Sequence, residues 1–181
     1  MSQAEALKTQ LFGEGAPVYA VIDGASAPGL LEKLDQSKLR HACVMEGELD
    51  PGTAHMAPYL VELDPGDDFT SWLLGEGWGK HAGIFAIAEA GLYEVRSHLM
   101  RLLVAYDETG NRLFFRYYDP RVLRVYVPSC NPGELAEFFG PVRAFVTEDE
   151  KPDTAIDYRN SGGKLVETRK ELAPPAQGEG A

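Results

Sequence analysis

The chain has 181 residues, 44% of them hydrophobic and 25% charged, the makeup of one globular domain around one core. Its formal net charge of −11 argues against nucleic acid as a partner, because phosphate binding needs a basic face. No apolar run approaches the roughly 18 residues of a membrane span, and residues 1–15 lack the basic end and apolar stretch of a signal peptide, so a cytoplasmic protein is expected.

Residues 3–12 read as a short helix. Val18-Tyr19-Ala20-Val21-Ile22 is an apolar, β-rich run closed by Asp23-Gly24, which predicts a buried strand. Pro28 is placed to open a helix through about residue 36, with Leu30, Leu31 and Leu34 on one side. His41–Met45 and Tyr59–Leu63 are further strand candidates, the second closed by the turn Asp64-Pro65-Gly66. Asp67 is positioned to cap a helix over 68–75. Gly83–Ala88 predicts a fourth strand. A longer helix is expected over 91–103, with Leu92, Val95, Leu99 and Leu102 on one face and Glu94, Ser97, His98 and Arg101 on the other.

Residues 103–118 suggest a β-hairpin about Asp107–Asn111, with Leu113–Tyr118 as the returning strand. Two short helices follow, each with a start signal: Asp119 before Pro120, and Asn131 before Pro132, with Glu134 completing a capping box. A strand over 142–146 and a last hairpin around Ser161-Gly162-Gly163 complete the pattern. The expected fold is therefore α/β in the α+β sense: a single domain with a mixed β-sheet flanked by helices, 18–22 and 84–88 being central strands. The expected organisation is an N-terminal helix and lead-in over 1–16, the main domain over 17–147, a C-terminal β-hairpin extension over 148–172 and a disordered tail over 173–181.

Charge is unevenly spread. Residues 1–95 hold 5 basic and 15 acidic side chains, a net of −10, whereas residues 96–143 hold 7 basic and 5 acidic, a net of +2. All seven of those basic residues are arginine, so an arginine-rich island sits within an acidic chain.

Readable chemistry is sparse. Gly75–Lys80 lacks the spacing and the hydroxyl residue of a phosphate loop and reads as a turn. His41, His55, His81 and His98 have no metal-type spacing to one another or to a cysteine, so no metal or cofactor is expected. Cys43 and Cys130 read as two buried thiols. Glu46, Glu48 and Asp50 alternate and would share a face on a strand, as a solvated edge. No catalytic residue is assigned.

The informative segment is Phe115-Arg116-Tyr117-Tyr118-Asp119-Pro120-Arg121-Val122-Leu123. Arginine forks pair with carboxylates. One reading is architectural: Asp119 caps a helix and the arginines tie the junction to nearby carboxylates. The other is a partner-binding corner formed by Arg116, Arg121 and Arg124 with Tyr126 and Phe139 on the two following helices, since aromatic and arginine side chains dominate binding hot spots.

Together with Pro58–Leu63, Ser97-His98-Leu99-Met100-Arg101 and Phe139-Gly140-Pro141-Val142, this segment resembles the domain-of-unknown-function family that includes the type VI secretion effector chaperones or adaptors (TEC, VasW-like), over roughly residues 17–147. The resemblance implies that residues 17–147 are an adaptor domain whose motif includes His98, Arg116, Asp119, Pro120 and Arg121. It implies a non-enzymatic protein that binds a toxic effector in the cytoplasm and helps load it onto the VgrG spike, with no small-molecule substrate. Two other readings stay open: a small hydrolase or transferase built from distant residues, with His98 and Asp119 as its acid–base pair, and an immunity protein that neutralises a toxin.

Overall fold

A computed structural model describes residues 1–172 of the chain; the tail expected to be disordered, 173–181, lies outside the described residues. Seven strands form the main sheet in the order β2-β3-β1-β4-β7-β8-β9. They are β1 (Val18–Asp23), β2 (His41–Cys43), β3 (Pro58–Leu63), β4 (Gly83–Ile87), β7 (Ala144–Glu148), β8 (Thr154–Ser161) and β9 (Lys164–Glu171). Among the described residues, β5 (Val104–Tyr106) and β6 (Arg112–Phe114) pair only with each other.

The sheet is covered on both sides, and β1 shows how. Its alternate residues Val18, Ala20 and Ile22 join a core with Leu7 and Leu11 of α1 (Gln3–Phe12), Leu30 and Leu34 of α2 (Leu30–Gln36) and Phe69 of α4 (Asp68–Trp72). Tyr19 and Val21 point the other way, as the two-residue period requires. They join Val95 and Leu99 of α5 (Leu92–Leu102), Leu123 and Val127 of α6 (Pro120–Ser129) and Phe138 and Phe139 of α7 (Pro132–Phe139). Each fully buried leucine or valine contributes about 1.5–3 kcal/mol. The short α3 (Pro51–Met56) adds no buried residue.

The single α+β domain with helices on both faces is as expected, and β4 and β1 lie centrally. Every strand pair is antiparallel, so the pairing is not mixed. Apolar strands register cover on both faces, not direction, which is why their composition misled on this point. The final hairpin is part of the same sheet, because β7 pairs with β8.

Several boundaries move. Pro28 lies in a turn closed by Leu30 N–H to Ala27 O, so α2 begins at Leu30. The helix expected over 68–75 changes to a π-helical turn at Leu73–Gly77. Glu46, Glu48 and Asp50 share no strand; Asp50 instead caps α3 through the Thr53 N–H and hydroxyl. The returning strand expected over 113–118 stops at Phe114 because Tyr117 and Tyr118 turn into the core. Cys43 and Cys130 are free and half-buried.

His98 departs most from expectation. It is 5% exposed, not on a polar face. The α7 turn lies over it: Nε2–H donates to Phe138 O at 2.8 Å, and Gly140 packs against the ring with φ +48°. A Cβ on Gly140 would stand 2.4 Å from His98 Cε1, so Gly140→Ala combines backbone strain with a clash. It should destabilise the fold by about 2–4 kcal/mol in urea unfolding. Gly75→Ala, where nothing lies within 4 Å of the new methyl, should change stability by less than about 1 kcal/mol.

Candidate functional site

β1 and β7 both run antiparallel to β4, so their C-terminal ends meet where β4 begins. That edge carries Asp23 and Glu148, and the N-terminus of α6 adds Asp119. These are the buried carboxylates among the described residues, exposed by 1%, 2% and 5%. A buried carboxylate must be satisfied by donors, and the local chain supplies them.

Asp23 receives three. Oδ1 accepts the Ala25 N–H at 3.0 Å, and Oδ2 accepts the Ser26 hydroxyl at 2.9 Å and Arg116 Nη2 at 2.6 Å. The turn is tight because Gly24 N–H bonds Ala57 O, and a Cβ there would stand 2.5 Å from His55 O. Arg116 lies over the Tyr118 ring, 5.8 Å from its centroid. Burial works against the Arg116 charge, but the Asp23 carboxylate and the Tyr118 hydroxyl together more than offset it and the guanidinium pKa is raised.

Asp119 caps α6, as expected. Its Oδ1 accepts the Arg121 N–H at 2.9 Å, and Arg121 folds back onto it with Nε–Oδ1 at 3.0 Å and Nη2–Oδ2 at 2.8 Å. Burial pushes the carboxyl pKa up, and the Arg121 fork with the backbone N–H outweighs it, leaving the pKa below the ordinary value. Pro120 occupies the first helical position, where its missing N–H costs nothing.

Glu148 ties down the segment before β4. It accepts the N–H groups of Gly79 (2.5 Å) and His81 (3.1 Å), with His81 Nδ1 at 2.7 Å. His81 is held at φ +58°, a conformation that costs a non-glycine residue about 1 kcal/mol. Arg124 Nη1 donates to the Glu148 carbonyl at 2.8 Å.

The corner thus presents Arg116 and Arg121 exposed and Arg124 half-buried, each fixed from beneath. Chemically this is a ridge of three guanidinium groups, two of them charge-balanced by a buried carboxylate, whose forks are suited to hydrogen-bonding further carboxylates. The two aromatic candidates behave differently. Tyr126 is half-buried, its ring centroid 4.6 Å from Phe115 and 5.3 Å from Phe138; burial pushes its phenol up to about 12. Phe139 is 3% exposed and packs on Phe145 at 5.3 Å. It is a core residue, not a surface anchor, because α7 turns its apolar face to the sheet. His98 and Asp119, the suggested acid–base pair, make no hydrogen bond to each other; one is held by Phe138 O and the other by Arg121. Sequence reasoning passed over Asp23 and Glu148 as partners of this corner. Their positions at the ends of apolar strands were the available signal.

Burial holds the His98 pKa below its ordinary value, the bond to Phe138 O opposes this and the Arg101 charge adds to it. The folded chain therefore resists protonation that the unfolded chain accepts near pH 6.5. This contribution to stability is complete above that pH and is lost as pH falls through the lower folded value. Wild-type stability should decline between pH 7 and 5. His98→Gln should be less stable at pH 7 but show a flatter dependence over the same range, as read by urea midpoints.

No curated protein and no solved structure gives a match to the chain. The profile of a domain of unknown function, DUF4123, matches residues 18–137. That span runs from β1 to α7 and includes Asp23, His98, the Arg116–Arg121 segment and Arg124, so the chain belongs to the DUF4123 family.

Proposed function

We propose that this protein is a non-enzymatic adaptor that binds a type VI secretion effector in the cytoplasm and promotes its loading onto the VgrG spike. The observation that carries the proposal is the corner itself, whose three arginines and whose Asp23 and Asp119 lie inside the family domain while Glu148 lies beyond it. Arg116, Arg121 and Arg124 are each anchored on one side by Asp23, Asp119 or the Glu148 carbonyl. An arginine fixed in this way loses little further side-chain entropy on meeting a partner. The resemblance of the Arg116–Arg121 segment to effector adaptors supports the same reading, as does the use of His98 and Asp119 for internal hydrogen bonds. The adaptor uses no cofactor, and its partners are polypeptides.

Co-expression tests this. Tagged protein, co-expressed with a type VI effector and a VgrG from the same genome, should retain both through size-exclusion chromatography. Association should slow at higher salt, because rim arginines act mainly on the rate of encounter. Retention of neither partner contradicts the adaptor reading. Retention of an effector with loss of its toxicity, but no VgrG, points to an immunity protein instead.

A further inference from the structure

We infer that the groove between α5 and the β5–β6 hairpin is the seat for a partner segment that carries carboxylates among apolar side chains; the inference rests on the adaptor reading and assigns it a second contact surface.

The hairpin is a two-stranded ribbon outside the main sheet. Its register sets Val104 opposite Phe114 and Tyr106 opposite Arg112, so these four side chains share one face. Folding gives no reason for that face to be aromatic: Tyr106 is 69% and Phe114 51% exposed. Across from it, α5 contributes Arg96, Met100 and Arg101. The space between has a volume of about 550 Å³.

The charge of this groove opposes that of the chain. Of the ten arginines in the sequence, Arg40, Arg116, Arg121, Arg143, Arg159 and Arg169 hold a carboxylate. Arg124 is bound to the Glu148 carbonyl. The other three, Arg96, Arg101 and Arg112, all line this groove and form no ion pair among the described residues. Acidic residues outnumber basic ones 28 to 17, so carboxylates are plentiful elsewhere. Arg96 donates only to the carbonyls of Cys43 (2.6 Å) and Met45 (3.3 Å), which orient the guanidinium without neutralising it. Glu46 also lines the groove, and among the described residues it too forms no ion pair.

Unpaired arginines beside exposed aromatic and apolar side chains have the composition of a binding hot spot. The charge selects an acidic occupant, and the aromatic face selects an apolar one. A second copy packed through this same face is disfavoured, since two-fold symmetry would set its arginines against their own mates. Nucleic acid is disfavoured by the net charge of the chain around three arginines.

Fluorescence anisotropy with short labelled peptides tests the proposal. A peptide of glutamate and leucine should bind the full chain, with affinity falling as salt rises. Its counterpart of lysine and leucine should bind at least roughly tenfold more weakly. The double variant Tyr106→Ser, Arg112→Glu changes two exposed side chains that line the groove and should keep the wild-type circular dichroism spectrum; it should lose about tenfold or more in affinity for the glutamate peptide. Equal binding of both peptides, undiminished binding by the double variant, or stronger binding of an oligothymidine would overturn the proposal. The same variant in the co-expression assay separates the two readings. If wild type and variant retain effector and VgrG equally, the groove is not the seat and the adaptor reading stands. If wild type retains neither partner, the adaptor reading fails, and the peptides alone decide the chemistry of the groove.

Discussion

The bond from Arg116 to Asp23 is the constraint on which the corner depends. Asp23 ends the central strand β1 and is 1% exposed, and a carboxylate so placed needs donors. One of its three donors comes from 93 residues away in sequence. That donor draws the turn at residues 115–118 onto the sheet edge. Once it is there, Tyr117 buries its ring and donates its hydroxyl to Leu99 O at 3.0 Å, and Asp119 is set to start α6. The direction of α6 then brings Arg124 to the Glu148 carbonyl. Strand end, turn and helix start are coupled through a single partly buried ion pair.

Six of the seven arginines between residues 96 and 143 fall into two populations with different physics. Those of the corner are held by buried carboxylates or a carbonyl. Removing an arginine there leaves a buried carboxylate with fewer donors and no opposite charge, which costs more than an exposed pair is worth. Those of the α5–hairpin groove are unpaired and sit beside exposed aromatic rings. The first group shapes the surface, and the second leaves it open to an acidic partner. Sequence composition showed the island of arginines over 96–143 but could not divide it, because the division depends on which carboxylates the fold delivers to each.

What was legible in the sequence follows from local physics. β1 and β4 were readable because both are nearly continuous apolar runs, and α7 because Asn131, Pro132 and Glu134 write out a capping box that forms as expected. Asp119 as a helix cap was readable from its place before Pro120. Strand direction was not readable, since cover on both faces leaves the same composition in either orientation. His98 lies beside Ser97 and Arg101, which points to a polar face; its burial comes from α7 and Gly140, some 40 residues away. The burial of Phe139 was hidden for the same reason, as an isolated helix does not disclose which face the sheet will cover. The exposed ring of Phe114 was hidden inside a longer expected strand.

The ion pair at the end of β1 is open to direct measurement by a double-mutant cycle. Urea unfolding of wild type, Asp23→Ala, Arg116→Ala and the double variant gives the coupling energy of the two side chains. A coupling of at least about 1 kcal/mol is expected, above the median for exposed pairs, with Asp23→Ala the more damaging single change because it also strands Ala25 N–H and the Ser26 hydroxyl. Additive effects, with no coupling between the two positions, would contradict it and leave the corner without its organising bond.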